Sequence, residues 1–474
     1  MKSLTLNREC TMLASSLKVE FMKPAVGSTT ADRGPHVRAY ARAPGAAGGP
    51  GSWMDCAKEM PARWDQAQLS LAVRAINGMM AEDPENEALL REIPASEILD
   101  KIQKGEPVEY DHVRITDDLD LSNLDLPTEH VARTEYQIKT LELPEESKVV
   151  SSQIKITNSK FDAKNVNLGN NLFKGSINFN NTIFCRYPYF RGATFSKYAE
   201  FRGTTFRGGA NFTGATFSGD ADFIKVTFNG GADFGEANFS GDTNFIGATF
   251  SGYAKFIGTI FQEDVGFSGA TFSSNVGFSK ATFRGNADFI GTTFSGSPSL
   301  IWTKFEGDVL TFRDATFTSA VSQEDGCRRA KNVLEKNGNR EEAGYHFYRE
   351  MDGKRKQKPW YIRYPEYIFV QLIFGYGVHP FRLMFCWFLV ALIFAIFYSV
   401  NGGIIGKLPA SSLPQPWSYF VECFYFSVVT AVTPGYGKYE LTSWVYQVIA
   451  SAEAIFGTFR WAAFIATFAR KYMR

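Results

Sequence analysis

Side chains able to do covalent or acid–base chemistry are scattered through this 474-residue sequence. The five histidines, His36, His112, His130, His346 and His379, lie far apart, and no nucleophile motif or phosphate-binding loop accompanies them. The six cysteines, Cys10, Cys56, Cys185, Cys327, Cys386 and Cys423, form no CxxC pair and no dense framework, which reads as reduced thiols. No enzyme activity, cofactor or metal is expected on these grounds. The concentrated signals lie inside apolar sequence. Gly-Tyr-Gly occurs twice, in "FGYGVHP" (Phe374 to Pro380) and in "TAVTPGYGKY" (Thr430 to Tyr439). An ionisable pair, Glu453 and Arg460, stands seven residues apart in an otherwise uncharged run, with Gly457 between them. That spacing puts both charges on one helix face, about 10 Å apart. Charges in such a setting face a bundle interior or water, and structural contacts are favoured over proton carriage.

The flanking elements decide which triplet is a working part. "LMFCWFLVALIFAIFYSV" (Leu383 to Val400) is uncharged, and "WVYQVIASAEAIFGTFRWAAFIATF" (Trp444 to Phe468) is longer still, so both are predicted to cross a membrane. Lys354, Arg355, Lys356, Lys358 and Arg363 precede the first span and Arg470, Lys471 and Arg474 follow the second, whereas the loop between them holds only Lys407 and Lys438 as basic residues. By the positive-inside rule both termini are cytoplasmic, in a multi-pass protein of the cell membrane in contact with the lipid bilayer. "WSYFVECFYFSVVTAV" (Trp417 to Val432) is too short to span and too apolar for water, which fits a re-entrant helix buried in protein. The triplet at Gly435 therefore has a short helix before it and a span after it. The triplet at Gly375 has neither and is expected to be a turn joining an interfacial segment, 364–380, to the first span.

Span, pore helix, TxGYG and span resemble the two-transmembrane potassium-channel family, over about Leu383 to Arg474, and "YFSVVTAVTPGYG" (Tyr425 to Gly437) is similar to its pore signature. The resemblance implies a homotetramer with K+ as the permeant ion. It assigns Thr433, Pro434, Gly435, Tyr436 and Gly437 to the selectivity filter, where glycines permit the positive φ that aims successive carbonyls at the axis. It also places Lys438 at the pore mouth. Two residues depart from the family pattern. Pro434 replaces an apolar residue, lacks an N–H and pushes Thr433 away from the α region. Lys438 stands where Asp is common, and four ammonium groups there would extend into solvent or pair with Glu440 or Glu422. Glu453 and Arg460 are expected to make inter-subunit or filter-supporting contacts. Gly457 fits the position at which inner helices of the family bend, with a packing glycine as the alternative.

The other half of the chain consumes phenylalanine, of which there are 43 against 8 Trp. From Phe173 through Phe179, Phe184, Phe190 and onward to Phe294, the steps alternate six and five, and the pattern continues more loosely through Leu300, Phe305, Phe312 and Phe317. Recurrent Gly and Thr, Ser, Asn and Asp fillers exclude a helix, and the short strict period signals a solenoid whose coils bury Phe against one another. "ADF" at Ala221, Ala232 and Ala287 resembles the pentapeptide-repeat family. The resemblance implies a right-handed quadrilateral β-helix, with a small inward residue two positions before each Phe. The extra residue per pair of faces predicts about 22 residues per turn and a bulge per two faces. Phe173 to Phe317 would then make six or seven turns and a rod about 30 Å long at ~4.8 Å per coil.

The organisation expected is an N-terminal extension without packed structure (1–80), a helical cap (81–112), the repeat rod (113–320), a helical cytoplasmic connector (321–363), the interfacial segment (364–380) and the pore domain (381–474). The last holds spans 383–400 and 444–468 and a pore helix with filter, 417–437. "DLDLSNLDLP" (Asp118 to Pro127) reads as a first coil and 128–149 as an insertion, with Ser96 as a candidate N-cap in the helix before them. Between Phe161 and Ala320 there are 13 basic and 13 acidic residues, so nucleic-acid mimicry by an acidic surface is disfavoured. A cytoplasmic protein partner of the rod fits better. Only six residues follow Phe468, so a signal from the rod is expected to enter the outer helix and reach the inner one by packing. A potassium-conducting channel is the leading expectation. A membrane-anchored scaffold with a non-selective or non-conducting pore domain is the alternative.

Overall fold

The computed structural model describes residues 17–18, 40–41, 90–378, 380–405, 417–432 and 439–472. In the N-terminal unit (Met1–Leu90) the described part is an antiparallel pair, Leu17–Lys18 with Tyr40–Ala41. The expectation for 1–80 otherwise lies outside the described residues.

From Arg91 to Phe317 the chain winds into a four-sided β-solenoid of about ten turns. Three faces are sheets of ten, nine and nine parallel-stacked strands, apart from one antiparallel edge strand, Thr128–His130. The fourth is a five-stranded and a two-stranded sheet joined by bridges through Tyr189. Through the middle of the stack the register is 22 residues, as in Phe184 opposite Phe206 and Phe206 opposite Phe228. It becomes 23 at the end, where Phe294 faces Phe317, because one residue is added between Phe305 and Leu310.

The alternating five and six steps have a backbone cause. In each five-residue step the third residue is left-handed, at Asn181, Gly192, Gly203, Gly214, Lys225, Glu236 and so on every eleven residues. A turn closes across it, as when the Thr182 amide donates to the Phe179 carbonyl at 3.2 Å. Positive φ at the third position of a four-residue turn is the type II requirement, which explains the recurring Gly and Asn.

Each inward Phe stacks on its counterpart one coil away. Phe190 and Phe212 are 4.6 Å apart and 2° from parallel, and neighbouring columns meet edge to face, as Phe201 and Phe212 do at 84°. Burying each ring contributes about 2–3 kcal/mol, and such ring pairs add about 0.5–1.5 kcal/mol. The small residue two positions earlier is also buried: Ala193 and Ala215 pack, while Thr204 donates its hydroxyl to the Phe179 carbonyl at 2.7 Å.

Both ends of this core are covered. The first rung is the strand Arg91–Ile93, paired with Val113–Ile115, so the solenoid starts upstream of the expected first coil at Asp118. Helix α1 (Ala95–Lys104) follows it and buries Ile98 and Ile102 over the open end. Its N-cap is Pro94, in an extended conformation, and Ser96 lies inside the helix. The insertion at 128–149 is a strap along the rod. Its short helix α2 (Glu135–Lys139) begins with a Thr134–Gln137 capping box, and the Gln137 amide also reaches the carbonyl of Glu236 at 3.0 Å. Gly214 sits at a left-handed corner (φ 65°) under the strap, where a Cβ would meet the Leu143 side chain at 2.6 Å.

At the other end α3 (Ala320–Lys336) and α4 (Arg340–Lys356) form an antiparallel pair on the last coil, N-capped by Ser319 and Asn339. Arg349 of α4 donates to the Phe312 carbonyl at 2.8 Å and to that of Ala315. His346 is fully buried, 3.3 Å from the Thr311 hydroxyl, and burial, with help from Arg349 and Arg313, pushes its pKa down to about 4.

Phe234→Asp should destabilise the rod by several kcal/mol, roughly 3–5, because it buries an unpaired charge, whereas Ser240→Asp at the surface should change little. Chemical denaturation of the two variants measures the difference, and equal stability would reject the phenylalanine core. A second expectation concerns acid. Unfolded His346 binds a proton near its ordinary pKa of 6.5 and folded His346 only near 4, so the junction should lose stability as pH falls from about 6.5 to 4. Melting curves of wild type and His346→Gln across that range test this, the variant giving the flatter profile.

Candidate functional site

Three helices build the membrane domain: α6 (Pro380–Asn401), α7 (Trp417–Val432) and α8 (Trp444–Tyr472). The apolar stretches Phe381–Asn401 of α6 (21 residues) and Trp444–Ala469 of α8 (26 residues) are long enough to cross a membrane. At 16 residues α7 is shorter and packs against both. Ala395 and Tyr398 of α6, Cys423 and Phe426 of α7 and Ala450 of α8 form a common core. At the end away from the solenoid, Ile404–Ile405 pairs antiparallel with Glu440–Leu441. The Tyr419 hydroxyl donates to the Ile404 carbonyl at 3.1 Å, which ties α7 to that hairpin.

The stretch Thr433 to Gly437 and Lys438 lie outside the described residues, and so does any pairing of Lys438 with Glu440 or Glu422. Their supports are described. Helix α7 ends at Val432, directly before Thr433, and on the far side of the stretch the Tyr439 ring lies 5.7 Å from Phe426 and 6.2 Å from Tyr425.

Glu453 is 3% exposed and sits where all three helices meet. Tyr398 of α6 donates its hydroxyl to one carboxyl oxygen at 3.0 Å, and Ser427 of α7 hydrogen-bonds the other. Ser427 also reaches the Ala391 carbonyl of α6 at 3.0 Å. One carboxyl group therefore ties the outer helix, the short helix and the inner helix together. Ser427 and Tyr398 are not legible as functional in the sequence, because only the crossing of the helices brings them to Glu453.

Arg460 is 4% exposed and does not pair with Glu453. It donates to the Cys386 carbonyl at 3.3 Å and lies over the Phe456 ring at 4.2 Å. Its guanidinium borders a cavity of about 70 Å³ between α6 and α8, lined also by Leu383, Trp387, Trp461 and Phe464.

At Gly457 the inner helix lies directly against α7. A Cβ there would stand 2.1 Å from the Ala431 carbonyl oxygen and 2.7 Å from the Ala431 Cα, so the two backbones touch two residues before Thr433. Helix α8 runs unbroken through this point.

The other triplet, Gly375 to Gly377, is a turn with three successive positive φ values of 53°, 51° and 76°. It follows α5 (Trp360–Glu366) and a π-helical run, Tyr367–Ile373. Beyond joining these to the first span, it touches α8: Phe374 meets Phe459 edge-on at 6.3 Å, and a Cβ on Gly377 would be 3.4 Å from Thr467. The expected route from rod to inner helix through the outer helix alone is thus incomplete, because the fold adds a contact that no local sequence pattern encodes.

Two family models match the chain. One, pentapeptide repeats (9 copies), matches residues 190–238, 201–249, 234–282 and 278–322. The other, ion channel, matches residues 384–474. No curated protein and no solved structure matches.

Gly457→Ala should harm this domain, although in an ordinary helix interior it would stabilise by about 1 kcal/mol. The added methyl meets backbone, which cannot rotate away, so a loss of roughly 1–3 kcal/mol is expected. Thermal unfolding in detergent measures the sign, and a stabilised variant would contradict the close packing.

Proposed function

We propose that this chain, a pentapeptide-repeat solenoid joined to an ion-channel domain, works as a homotetrameric, potassium-conducting channel of the cell membrane, with the rod and both termini in the cytoplasm. The observation that carries the reading is a short helix held between two spans and ending at Val432, directly before "TPGYG". One chain supplies one such loop, and a closed ring of carbonyls around a permeant ion needs several copies about an axis. Thr433, Gly435, Tyr436 and Gly437 are assigned to the ion path, with Pro434 and Lys438 setting its departures from the usual selectivity. Glu453, through Ser427 and Tyr398, and Gly457, through Ala431, are assigned to holding the short helix in place. Orientation rests on the basic residues that flank both spans at one end.

Pro434 and Lys438 favour the second reading, a membrane-anchored scaffold whose pore is non-selective or non-conducting. For the rod, the two roles are binding of a cytoplasmic protein and control of gating.

Potassium flux into liposomes and reversal potentials in potassium and sodium gradients separate the readings. Tyr436→Ala or Gly437→Ala should abolish selectivity while leaving tetramers intact by native mass measurement, and the matching change at Gly377 should leave selectivity alone. Absence of flux from tetrameric wild-type protein would favour the scaffold.

A further inference from the structure

The connector helix α4 has two working faces. Towards the rod, Glu342 pairs with Arg313, Tyr345 receives the Asp314 amide at 3.0 Å, and Arg349 binds the last coil's carbonyls. Towards the membrane, Asp352 and Arg355 enclose Gln371 of the π-helical run. Arg355 donates to the Gln371 side-chain oxygen at 2.7 Å, and the Gln371 amide reaches Asp352 at 3.2 Å and the Tyr348 hydroxyl at 3.0 Å. Asp352 is fixed from the other side by Gln323 of α3 at 3.1 Å and by Lys356 at 2.6 Å. Burial alone would raise the Asp352 carboxyl, but hydrogen bonds from Lys356, Arg355 and Gln323 outweigh it and hold it at about 2, ionised at any physiological pH. Gln371 is thus a polar residue, 8% exposed, clamped in a segment whose neighbours Phe369 and Leu372 are exposed and apolar.

Four residues later the chain turns through Gly375, Tyr376 and Gly377. Glycines accept left-handed φ freely, whereas a tyrosine does not, and its ring is held by burial and by an edge-on contact with Tyr348 of α4 at 5.6 Å. Beside it, Val378 lies 3.5 Å from where a Cβ on Gly344 of α4 would stand. On its far side the same turn meets the inner helix at Phe459 and Thr467. Phe459 is two residues from Gly457, where the inner helix abuts Ala431. A short unbroken series of contacts therefore runs from the last coil through α4 and the turn to the end of the short pore helix. The element within it able to change register is the π-helical run. It follows Pro365, which supplies no N–H, and π-helical turns relax to α-helix by a one-residue slip that would rotate the elbow.

We propose that the Phe374–Gly377 elbow is a transmission joint, clamped to the connector at Gln371 and Tyr376 and bearing on the inner helix at Phe459 and Thr467, so that displacement of the rod biases the inner helix without passing through the first span. This rests on the channel reading for its consequence and on the contacts alone for its mechanics.

Two single variants of the full-length tetramer test it. Gln371→Ala releases the elbow from α4, and Phe374→Ala releases it from α8. Each is expected to change open probability at least about fivefold, and the double variant no more than the stronger single one, since both cut one series of contacts. Amide hydrogen exchange of residues 457–469 in lipid nanodiscs gives a readout independent of conduction. It should accelerate in Gln371→Ala although the Gln371 side chain hydrogen-bonds only α4. Arg355→Lys, which keeps the charge and loses the planar donor, should give the same direction of change should Gln371→Ala fail to assemble. Altered exchange without ion flux would uphold the joint and reject the channel reading. Unchanged exchange and gating, or effects that simply add in the double variant, would overturn the joint.

Discussion

A polar group placed in hydrocarbon must find its partner inside the protein. The membrane domain is arranged around that constraint. Glu453 is a costly residue to carry in an inner helix, and it is accommodated because Tyr398 and Ser427 meet it where the three helices cross. Those hydrogen bonds set how far α7 is inserted between the spans, while the missing side chain of Gly457 sets how closely α8 approaches its end. Together they fix the point from which the loop at Thr433 departs.

The solenoid answers the matching problem in water. Each coil exposes a layer of rings that only another coil can cover, so the stack requires closure at both ends. Helix α1 closes the first, and α3 with α4 closes the last. The second closure has a dual use. The helix that seals the rod through Arg349 also clamps the membrane segment through Asp352 and Arg355. Sealing the rod and holding the membrane segment therefore fall to one helix.

Much of this was legible in residue spacing. The five and six alternation of phenylalanines fixed the period of 22, and the excess of uncharged apolar residues fixed the two spans, because both are properties of repetition and length. The site was legible in part. Glu453, Arg460 and Gly457 stood out as charges or a glycine in apolar sequence, yet their partners did not. Glu453 and Arg460 share a helical spacing, and this suggested related roles, but the helix crossings give Glu453 one hydroxyl from α6 and one from α7, whereas Arg460 meets a carbonyl of α6 and the Phe456 ring of its own helix. The start of the solenoid was misplaced because Arg91–Ile93 is too short to show alternation and is recognised only by its pairing with Val113–Ile115.

The sequence by itself determined the repeat, the layout of spans around "TPGYG", and the difference in context between the two Gly-Tyr-Gly triplets, since each depends on residue type and on distance along the chain. Only the tertiary structure decided that the first triplet rests on the inner helix, that Gln371 is clamped by α4, and that Gly457 touches Ala431. Each of these joins residues more than a dozen positions apart through the angles at which helices cross, and such angles are set by the packing of whole surfaces, which no local pattern encodes.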